Sequence, residues 1–174
     1  QRLLQEDPTL ELERVEETHQ SILTGIGDVQ LDLCVERLKR MGVDVELYAR
    51  KIPYRETLKG KVSEEYRHKK QAGGRGQFGQ VAIEISGLPS GSGFVFEDNI
   101  VGGVVSKNYI PAVEKGVRKA MESGILAGNP VVDVKVRLYD GKMHEVDSSD
   151  MAFQIAGMQA FKNGAPKAKP VILE

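Results

Sequence analysis

A basic, glycine-rich stretch, residues 67–81, constrains the fold of this chain more than any other segment. Its fifteen residues include four lysines or arginines, four glycines and no acid, although the whole chain holds 24 basic and 25 acidic residues. A local block of one charge sign is where an anionic partner is met. Glycines at this density allow a tight turn between extended segments. The stretch therefore predicts either a plain surface hairpin or a turn that contacts an anion.

The first anion to consider is a nucleotide, because residues 74–79 match the G-x-G-x-x-G pattern of phosphate-binding loops. A dinucleotide-binding loop lies between a strand and a helix, whereas residues 81–85 of this chain have the composition of a strand. The protein-kinase loop does lie between strands, and Val81 completes its pattern. However, the sequence contains no His-Arg-Asp and no Asp-Phe-Gly. Neither nucleotide-binding interpretation fits.

Length and composition indicate two small domains. The chain has 174 residues, of which 40% are hydrophobic, as is usual for packed domains. Its single cysteine, Cys34, has no partner for an internal disulfide, and no apolar run reaches the length of a membrane helix. We expect a cytoplasmic protein that does not contact membranes. Because the net charge is only −1, any contact with phosphates must be local.

No pattern in the chain predicts catalysis or metal binding. The sequence lacks the G-x-x-x-x-G-K-[ST] motif of nucleotide hydrolysis. The segment from His144 to Ser149 holds a histidine, carboxylates and hydroxyls, but adjacency in sequence does not make a catalytic triad. The three histidines are too scattered for a zinc site. Taken alone, His144 is an exposed turn histidine and the lysines of the basic stretch are solvated.

The first domain is predicted over residues 1–58. Its predicted elements are a helix end at residues 3–7, a hairpin at 9–16 and 21–24, a helix from Asp28 to Met41, and a strand at 43–48 that residues 53–56 extend. Asp28 is the candidate cap of the helix, and Gly42 ends it. This order is that of a split β-α-β unit without its first strand.

The second domain is predicted over residues 59–174. Its predicted elements are strands at 62–69, 81–85, 94–97, 131–138 and 170–174, a turn at 139–142, and helices at 110–121 and 149–163. Ser148 or Asp147 is the candidate cap of the last helix. Strands and helices together predict an α+β domain.

Four ordered motifs resemble the fourth domain of bacterial elongation factor G. They are Lys69–Gly79, Gly102–Val105 with Tyr109–Val113, Pro130–Val134, and His144–Phe153. The first domain resembles the third domain of that family without its beginning. The residues that carry this second likeness are Glu6–Thr9, Gly25–Asp28 and Pro53–Thr57. The resemblance covers the whole chain.

The resemblance implies an α+β segment of a translational GTPase. A truncated ferredoxin-like unit, residues 1–58, would precede a ribosomal-protein-like β-α-β domain, residues 59–174. That domain would contain a left-handed crossover, an exception to the usual handedness. The last residues would lead into a C-terminal domain that is absent from this chain. GTP and Mg²⁺ would bind elsewhere in the parent protein, so this segment would be no enzyme and would hold no cofactor.

The resemblance also implies a site at the tip of the second domain. In the family this domain enters the decoding region of the small ribosomal subunit and contacts tRNA and mRNA during translocation. The expected partners are thus the ribosome with its RNA, A-site tRNA and mRNA, and we expect a monomer. The tip would be made of two loops, residues 71–76 and residues 142–149, in which Gln71 and His144 would lie nearest the tRNA. The loops around them would be shaped by Gly73, Gly74, Arg75, Gly76, Asp147, Ser148 and Ser149, with Lys69 and Lys70 as supporting cations.

One departure from the family pattern leaves a second function open. The main factor typically has Gly-Met-Gly-Glu-Leu-His-Leu where this chain has Gly25-Ile26-Gly27-Asp28-Val29-Gln30-Leu31. This sequence is more like that of elongation-factor-G-like paralogues, which would act in ribosome recycling or protection without translocation. Because the tip motifs are kept, translocation is the favoured function. Glycines there would let the backbone approach packed RNA, and cations would neutralise its phosphates.

Overall fold

The computed structural model describes residues 2–16, 18–71 and 76–174 of the chain. They form two compact units, Gln1–Pro53 and Tyr54–Glu174. No helix in the described part of the chain is long and apolar enough to cross a membrane.

The first unit contains the predicted hairpin between two helices. Helix α1 (Arg2–Glu6) precedes strands β1 (Glu11–Val15) and β2 (Gln20–Thr24), which pair antiparallel, and helix α2 spans Asp28–Arg40. The cap of α2 is Gly27, which makes no side-chain capping bond, so the prediction of Asp28 as the cap was wrong by one residue. Asp28 instead places a negative charge in the first turn, where the helix dipole favours it.

The strand predicted at residues 43–48 is wrong. These residues form no regular element. Alternating polarity gives a segment the period of a strand, but a strand also needs a ladder of backbone hydrogen bonds to a neighbour. Among the described residues β2 pairs only with β1, and the segment forms no such ladder.

The second unit is built on a four-stranded sheet in the order β4-β5-β7-β6. The bounds of its strands are β3 Arg55–Leu58, β4 Lys61–Lys70, β5 Gln77–Gly87, β6 Phe94–Asp98, β7 Val134–Lys142 and β8 Pro170–Leu173. Its helices are α3 (Ile110–Glu122) and α4 (Asp150–Gly164), with short 3₁₀ turns at Lys107–Tyr109 and Ala165–Ala168. The predicted α+β fold class is confirmed.

One face of this sheet carries the core. Fully buried residues of β5 and β7 pack with α3 and α4, among them Val81, Ile83, Ile85, Val134, Val136, Leu138, Val113, Val117, Phe153 and Phe161. The two helices approach closely because they present glycines to each other. A Cβ on Gly157 would lie 2.7 Å from the carbonyl oxygen of Val113, and a Cβ on Gly116 would collide with the carbonyl oxygen of Gln154.

The crossover expected in the second unit connects β6 through α3 to β7. These two strands pair in parallel, with Phe94 opposite Val134 and Asp98 opposite Leu138. The left hand of this connection stays a prediction.

The division between the units falls five residues before the predicted boundary at 58/59. Residues 55–58 form β3, which pairs antiparallel with β8, so that Arg55 lies opposite Leu173 and Leu58 opposite Pro170. The pairing partner of residues 55–58 is therefore in the second unit. The alternation of polar and apolar residues in the sequence predicts instead that residues 53–56 extend the strand at 43–48.

Strand β7 also differs from its prediction at both ends. It begins at Val134 because Asp133 has a φ of 57°, which is incompatible with extended backbone. Residues 139–142, predicted as a turn, continue the strand. Residues 140–142 pair with β5, and a bulge leaves Tyr139 without an opposite residue there. Gly141 therefore allows close strand packing, because a Cβ there would lie 2.5 Å from the carbonyl oxygen of Gln80.

A fully buried carboxylate, Glu56, organises the loop after α3. It accepts hydrogen bonds from the backbone N–H groups of Ile125, Leu126, Ala127 and Asn129, at 2.6, 2.8, 2.9 and 3.1 Å. Burial would raise the pKa of the Glu56 carboxyl, but these four donors together outweigh burial and hold the pKa below its usual value. The carboxylate is therefore charged in the folded protein at neutral pH and fixes the loop by its charge.

Candidate nucleic-acid interface

The candidate site lies where one end of the sheet meets the start of α4. Here β4 ends, β5 begins, β7 ends, and an isolated parallel bridge joins Phe78 to Ser148. Lys69, Lys70, Gln71 and Gly76 lie on one side of this end, and His144, Asp147, Ser148 and Ser149 on the other. Three further predicted residues, Gly73, Gly74 and Arg75, lie outside the described residues.

The two groups of predicted residues border one open concavity of about 240 Å³. Its lining includes Lys69, Lys70, Gln71 and Gly76 from the basic stretch, Lys142 at the end of β7, and His144 and Asp147 from the later turn. Residues that are about 70 positions apart in sequence therefore share one surface. We call this surface the tip.

Ser148 fastens the later turn to the sheet. Its hydroxyl donates to the backbone oxygen of Phe78 at 3.0 Å and accepts from the backbone N–H of His144 at 2.8 Å. Its own backbone N–H donates to the carbonyl oxygen of His144 at 3.1 Å. One side chain thus closes the turn from residue 144 to 148 and attaches it to the beginning of β5.

The ring of Phe78 packs against the imidazole of His144. The register of β4 and β5 places Phe78 opposite Lys69, on the face of the sheet that the helices leave open. An aromatic ring on such a face would normally be exposed, yet Phe78 is only 8% exposed. The ring of His144 lies 4.4 Å from it at a tilt of 59°. The imidazole is therefore held at the surface on an apolar base, with one side facing solvent.

The start of α4 fixes the rest of the turn. Ser149 is the helix cap, since its hydroxyl accepts from the backbone N–H of Ala152 at 3.2 Å. The prediction named Ser148 or Asp147, and the true cap is the next residue. Asp147 accepts at its backbone oxygen from the N–H of Phe78 at 2.8 Å. A Cβ on Gly76 would lie 2.9 Å from the carboxylate of Asp147, so glycine leaves room for that side chain in its present position.

Tyr109 links the tip to the core. Its ring stacks on that of Phe153, with centroids 4.7 Å apart and planes at 16°, and its hydroxyl donates to the backbone oxygen of Ser148 at 3.3 Å. Phe153 is fully buried. The turn that carries His144 is therefore anchored through Tyr109 to the packed helices.

The tip is rich in cations that have no acidic partner. Lys69, Lys70 and Lys142 are exposed and form no ion pair with any residue that the structure describes. Arg67 donates through Nε to the side-chain oxygen of Gln80 at 2.9 Å. The positive charge at this end of the sheet is therefore available to an anion from outside.

The side chains on this surface are suited to polar contacts and ring stacking. No cluster of three histidine, cysteine or acidic side chains able to hold a metal occurs within the described ranges. The groups on the surface are cations, an amide and an imidazole on an aromatic base, which are the groups that contact phosphates and bases of RNA.

The individual roles of four contributors to this surface were not predicted from the sequence. Phe78 and Tyr109 belong to the motifs Lys69–Gly79 and Tyr109–Val113, which predict no role for either ring at the tip. Arg67 is part of the basic stretch, and Lys142 is the first residue of the predicted tip loop at residues 142–149. Strand register was the signal that could have found Arg67 and Lys142, because both lie opposite Gln80.

The fold and the site together define two α+β domains, the second with a basic tip, and comparisons with known proteins identify both. Residues 50–169 match the family described as elongation factor G, domain IV, and residues 1–49 match elongation factor G, domain III. The chain therefore belongs to the elongation factor G family.

Individual relatives agree with this assignment. An elongation factor G-like protein of Thermotoga maritima is 54% identical over 99% of this chain and 26% of its own length. Elongation factor G of Aquifex pyrophilus is 52% identical over 98% of this chain and 25% of its own length. A crystal structure from Thermus thermophilus matches 99% of this chain and 26% of that chain, with a TM-score of 0.84 and 46% identity. The chain thus spans about a quarter of these proteins.

Proposed function

We propose that this chain is the part of a translation factor that contacts tRNA and mRNA in the decoding region of the small ribosomal subunit while they are translocated. One observation carries the proposal. Ser148 fastens the His144 turn to Phe78 of β5, and Phe78 lies opposite Lys69 at the basic end of β4. The single surface that results carries lysines that pair with no acid of the described chain. Family membership supports the same role.

The tip would act by holding the shape and backbone of RNA. Lys69 and Lys70 would neutralise phosphates, and Gln71 would hydrogen-bond bases or riboses. The imidazole of His144, supported by Phe78, offers a flat ring to an exposed base. Such contacts do not depend on sequence, which suits a factor that acts on every codon.

The remaining parts of the proposal concern the whole protein. It would be a monomer of the cytoplasm that binds the ribosome and hydrolyses GTP with Mg²⁺ in another domain. This segment does not fit a nucleotide site, because it lacks the G-x-x-x-x-G-K-[ST] motif. Its own residues would bind and position RNA only.

The experiment replaces the two central tip residues in the full-length protein. The double variant Gln71→Ala with His144→Ala is expected to slow single-round translocation roughly tenfold or more, the effect of about 1.4 kcal/mol on the barrier. Ribosome-stimulated GTP hydrolysis should persist, because the nucleotide site is elsewhere. The matched control is Lys162→Ala with Asn163→Ala, two exposed residues at the other end of α4, which should leave both rates unchanged.

A second function is favoured by one sequence observation. The helix opening at residues 25–31 departs from the main factor, and one relative at 54% identity is named an elongation factor G-like protein. The alternative is a ribosome-binding factor for recycling or protection. If the double variant left translocation unchanged while GTP hydrolysis persisted, the translocation role of these residues would be wrong and the alternative would be preferred.

A further inference from the structure

We infer that RNA contact extends beyond the tip loops onto the open face of the sheet, where Arg67, Lys69 and Lys142 form a binding surface for a phosphodiester backbone. We call these three residues the sheet-face patch. The inference rests on the proposed function, since it names the part of the RNA and the residues that hold it.

Strand register places the patch across three neighbouring strands. In antiparallel strands, residues that lie opposite each other point to the same face. Arg67 of β4 lies opposite Gln80 of β5, and Gln80 lies opposite Lys142 of β7. Lys69 and Phe78 form the next row towards the tip. The helices pack on the opposite face, so these side chains lie on the open one.

Charges on this same face are organised differently towards its other end. There Lys61 contacts the carboxylate of Glu84 at 2.9 Å, Arg137 contacts it at 3.3 Å, and Lys135 contacts Glu97 at 2.6 Å. Cations far from the tip are thus neutralised by neighbours on adjacent strands. In the part of the chain that the structure describes, the patch residues have no such ion pairs. Among the described residues of this face, the cations without an ion pair therefore lie at the tip end.

An acidic row marks the border between the two ends. Glu65 and Asp140 both lie opposite Ala82, one row further from the tip than Arg67 and Lys142. Both carboxylates have local partners, since Glu65 accepts from the side chain of Gln80 and Asp140 accepts from the backbone N–H of Gly141. A polyanion would be repelled by this row. The path of an RNA backbone is thereby confined to the rows of Arg67 and Lys69.

The neighbouring rings favour RNA over an acidic protein as the partner. Phe78 and His144 stand in and above the row of Lys69, and a base attached to a bound backbone could stack on the exposed imidazole. An acidic peptide would need the cations but would not use an aromatic surface beside them. RNA uses both, because it presents phosphates and bases together.

Salt dependence of ribosome binding tests the inference. The full-length double variant Arg67→Gln with Lys142→Gln is compared with the wild-type protein for affinity to ribosomes, in a non-hydrolysable GTP analogue, over a series of salt concentrations. Each phosphate contact contributes about 0.7–0.9 to the slope of log K against log salt. The slope should therefore fall by roughly 1.4–1.8 if both contacts are lost. The control Lys61→Gln with Lys135→Gln removes the same charge from the paired end and should leave the slope unchanged.

Equal slopes for the two double variants would overturn the inference. A photo-crosslinking residue at position 69 identifies the partner: products with RNA support it, and products with ribosomal proteins alone overturn it. Its failure can be distinguished from failure of the proposed function. If the Arg67 and Lys142 variant kept the wild-type slope while the Gln71 and His144 variant translocated slowly, the sheet-face patch would be wrong as an RNA-binding surface and the proposed function would still hold.

Discussion

The hydroxyl of Ser148 lies between the backbones of Phe78 and His144, 3.0 Å from the oxygen of the first and 2.8 Å from the nitrogen of the second. Two segments that are distant in sequence are thus held together by a single side chain. The position of His144 at the surface depends on this link and on the ring of Phe78 beneath it.

Removing the link should loosen the tip without unfolding the unit. We expect Ser148→Ala to lower the free energy of unfolding by about 1–3 kcal/mol, because a donor and an acceptor lose their partner. Translocation should slow at the same time. Ser148→Thr keeps the hydroxyl and should restore most of the rate, and Ser63→Ala, an exposed serine of β4, is the control for stability. A normal translocation rate in Ser148→Ala would contradict the positioning role.

The cap of α4 allows a second test, which measures the contribution of Ser149 to stability. Ser149→Ala removes the hydroxyl that accepts from Ala152 and should cost about 1 kcal/mol in chemical denaturation. Ser149→Asp keeps a capping oxygen and should retain the stability of the wild-type protein. Equal destabilisation by both variants would show that the hydroxyl does not act as a cap.

We expect the charge of the buried Glu56 carboxylate to contribute strongly to the stability of the protein. Glu56→Gln keeps the shape but removes the charge and turns an NH₂ group, which cannot accept, towards two of the four backbone N–H donors. We therefore expect a loss of roughly 3 kcal/mol or more in denaturant unfolding. Glu122→Gln, an exposed glutamate of α3, is the matched control and should change stability by less than about 0.5 kcal/mol.

The same carboxylate predicts the pH dependence of stability. Its pKa in the folded state is lowered, so its contribution is complete above the ordinary glutamate pKa of about 4.3 and is lost as the pH falls through the folded value. The wild-type protein should therefore lose more stability than Glu56→Gln when acidified below about pH 4.3. Parallel acid-denaturation curves for the two proteins would disprove this coupling.

Close packing of α3 on α4 gives a prediction for the core. Gly116→Ala would place a methyl group against the backbone oxygen of Gln154, where no side chain can move aside. We expect a loss of about 1–3 kcal/mol from overpacking, despite the higher helix propensity of alanine. Lys115→Ala, at an exposed position of the same helix, should be neutral. The measurement is the melting temperature of each variant, which should fall for Gly116→Ala and stay at the wild-type value for Lys115→Ala.

Local patterns in the sequence predicted most helices and strands, because each side of such an element has its own polarity. The hairpin of β1 and β2, both long helices of the second unit and the cations of the tip follow from residues close together in the chain. The failures depended on distant partners. Residues 43–48 have a strand period but no ladder, and residues 55–58 pair with β8, more than 110 positions later.

Individual residues of the site show the same limit. His144 and Gln71 were predicted through family motifs, and Lys69 and Lys70 through local charge. The roles of Phe78 and Arg67 depend on which face of the sheet they occupy, and that is fixed by the register of β4 with β5. The face of Lys142 depends on the bulge in β7, which shifts its pairing with β5 by one residue. No local signal shows that Glu56 is buried, because its four donors lie some 70 residues away.

Pairing of β3 with β8 brings the first and last strands of the second unit side by side, with Arg55 opposite Leu173. Neighbouring strands are only about 4.8 Å apart. Because its two ends are adjacent, the unit can be inserted into a loop of another protein without distortion of its own fold. A chimera that carries residues 54–174 in a host protein would therefore present the complete basic tip.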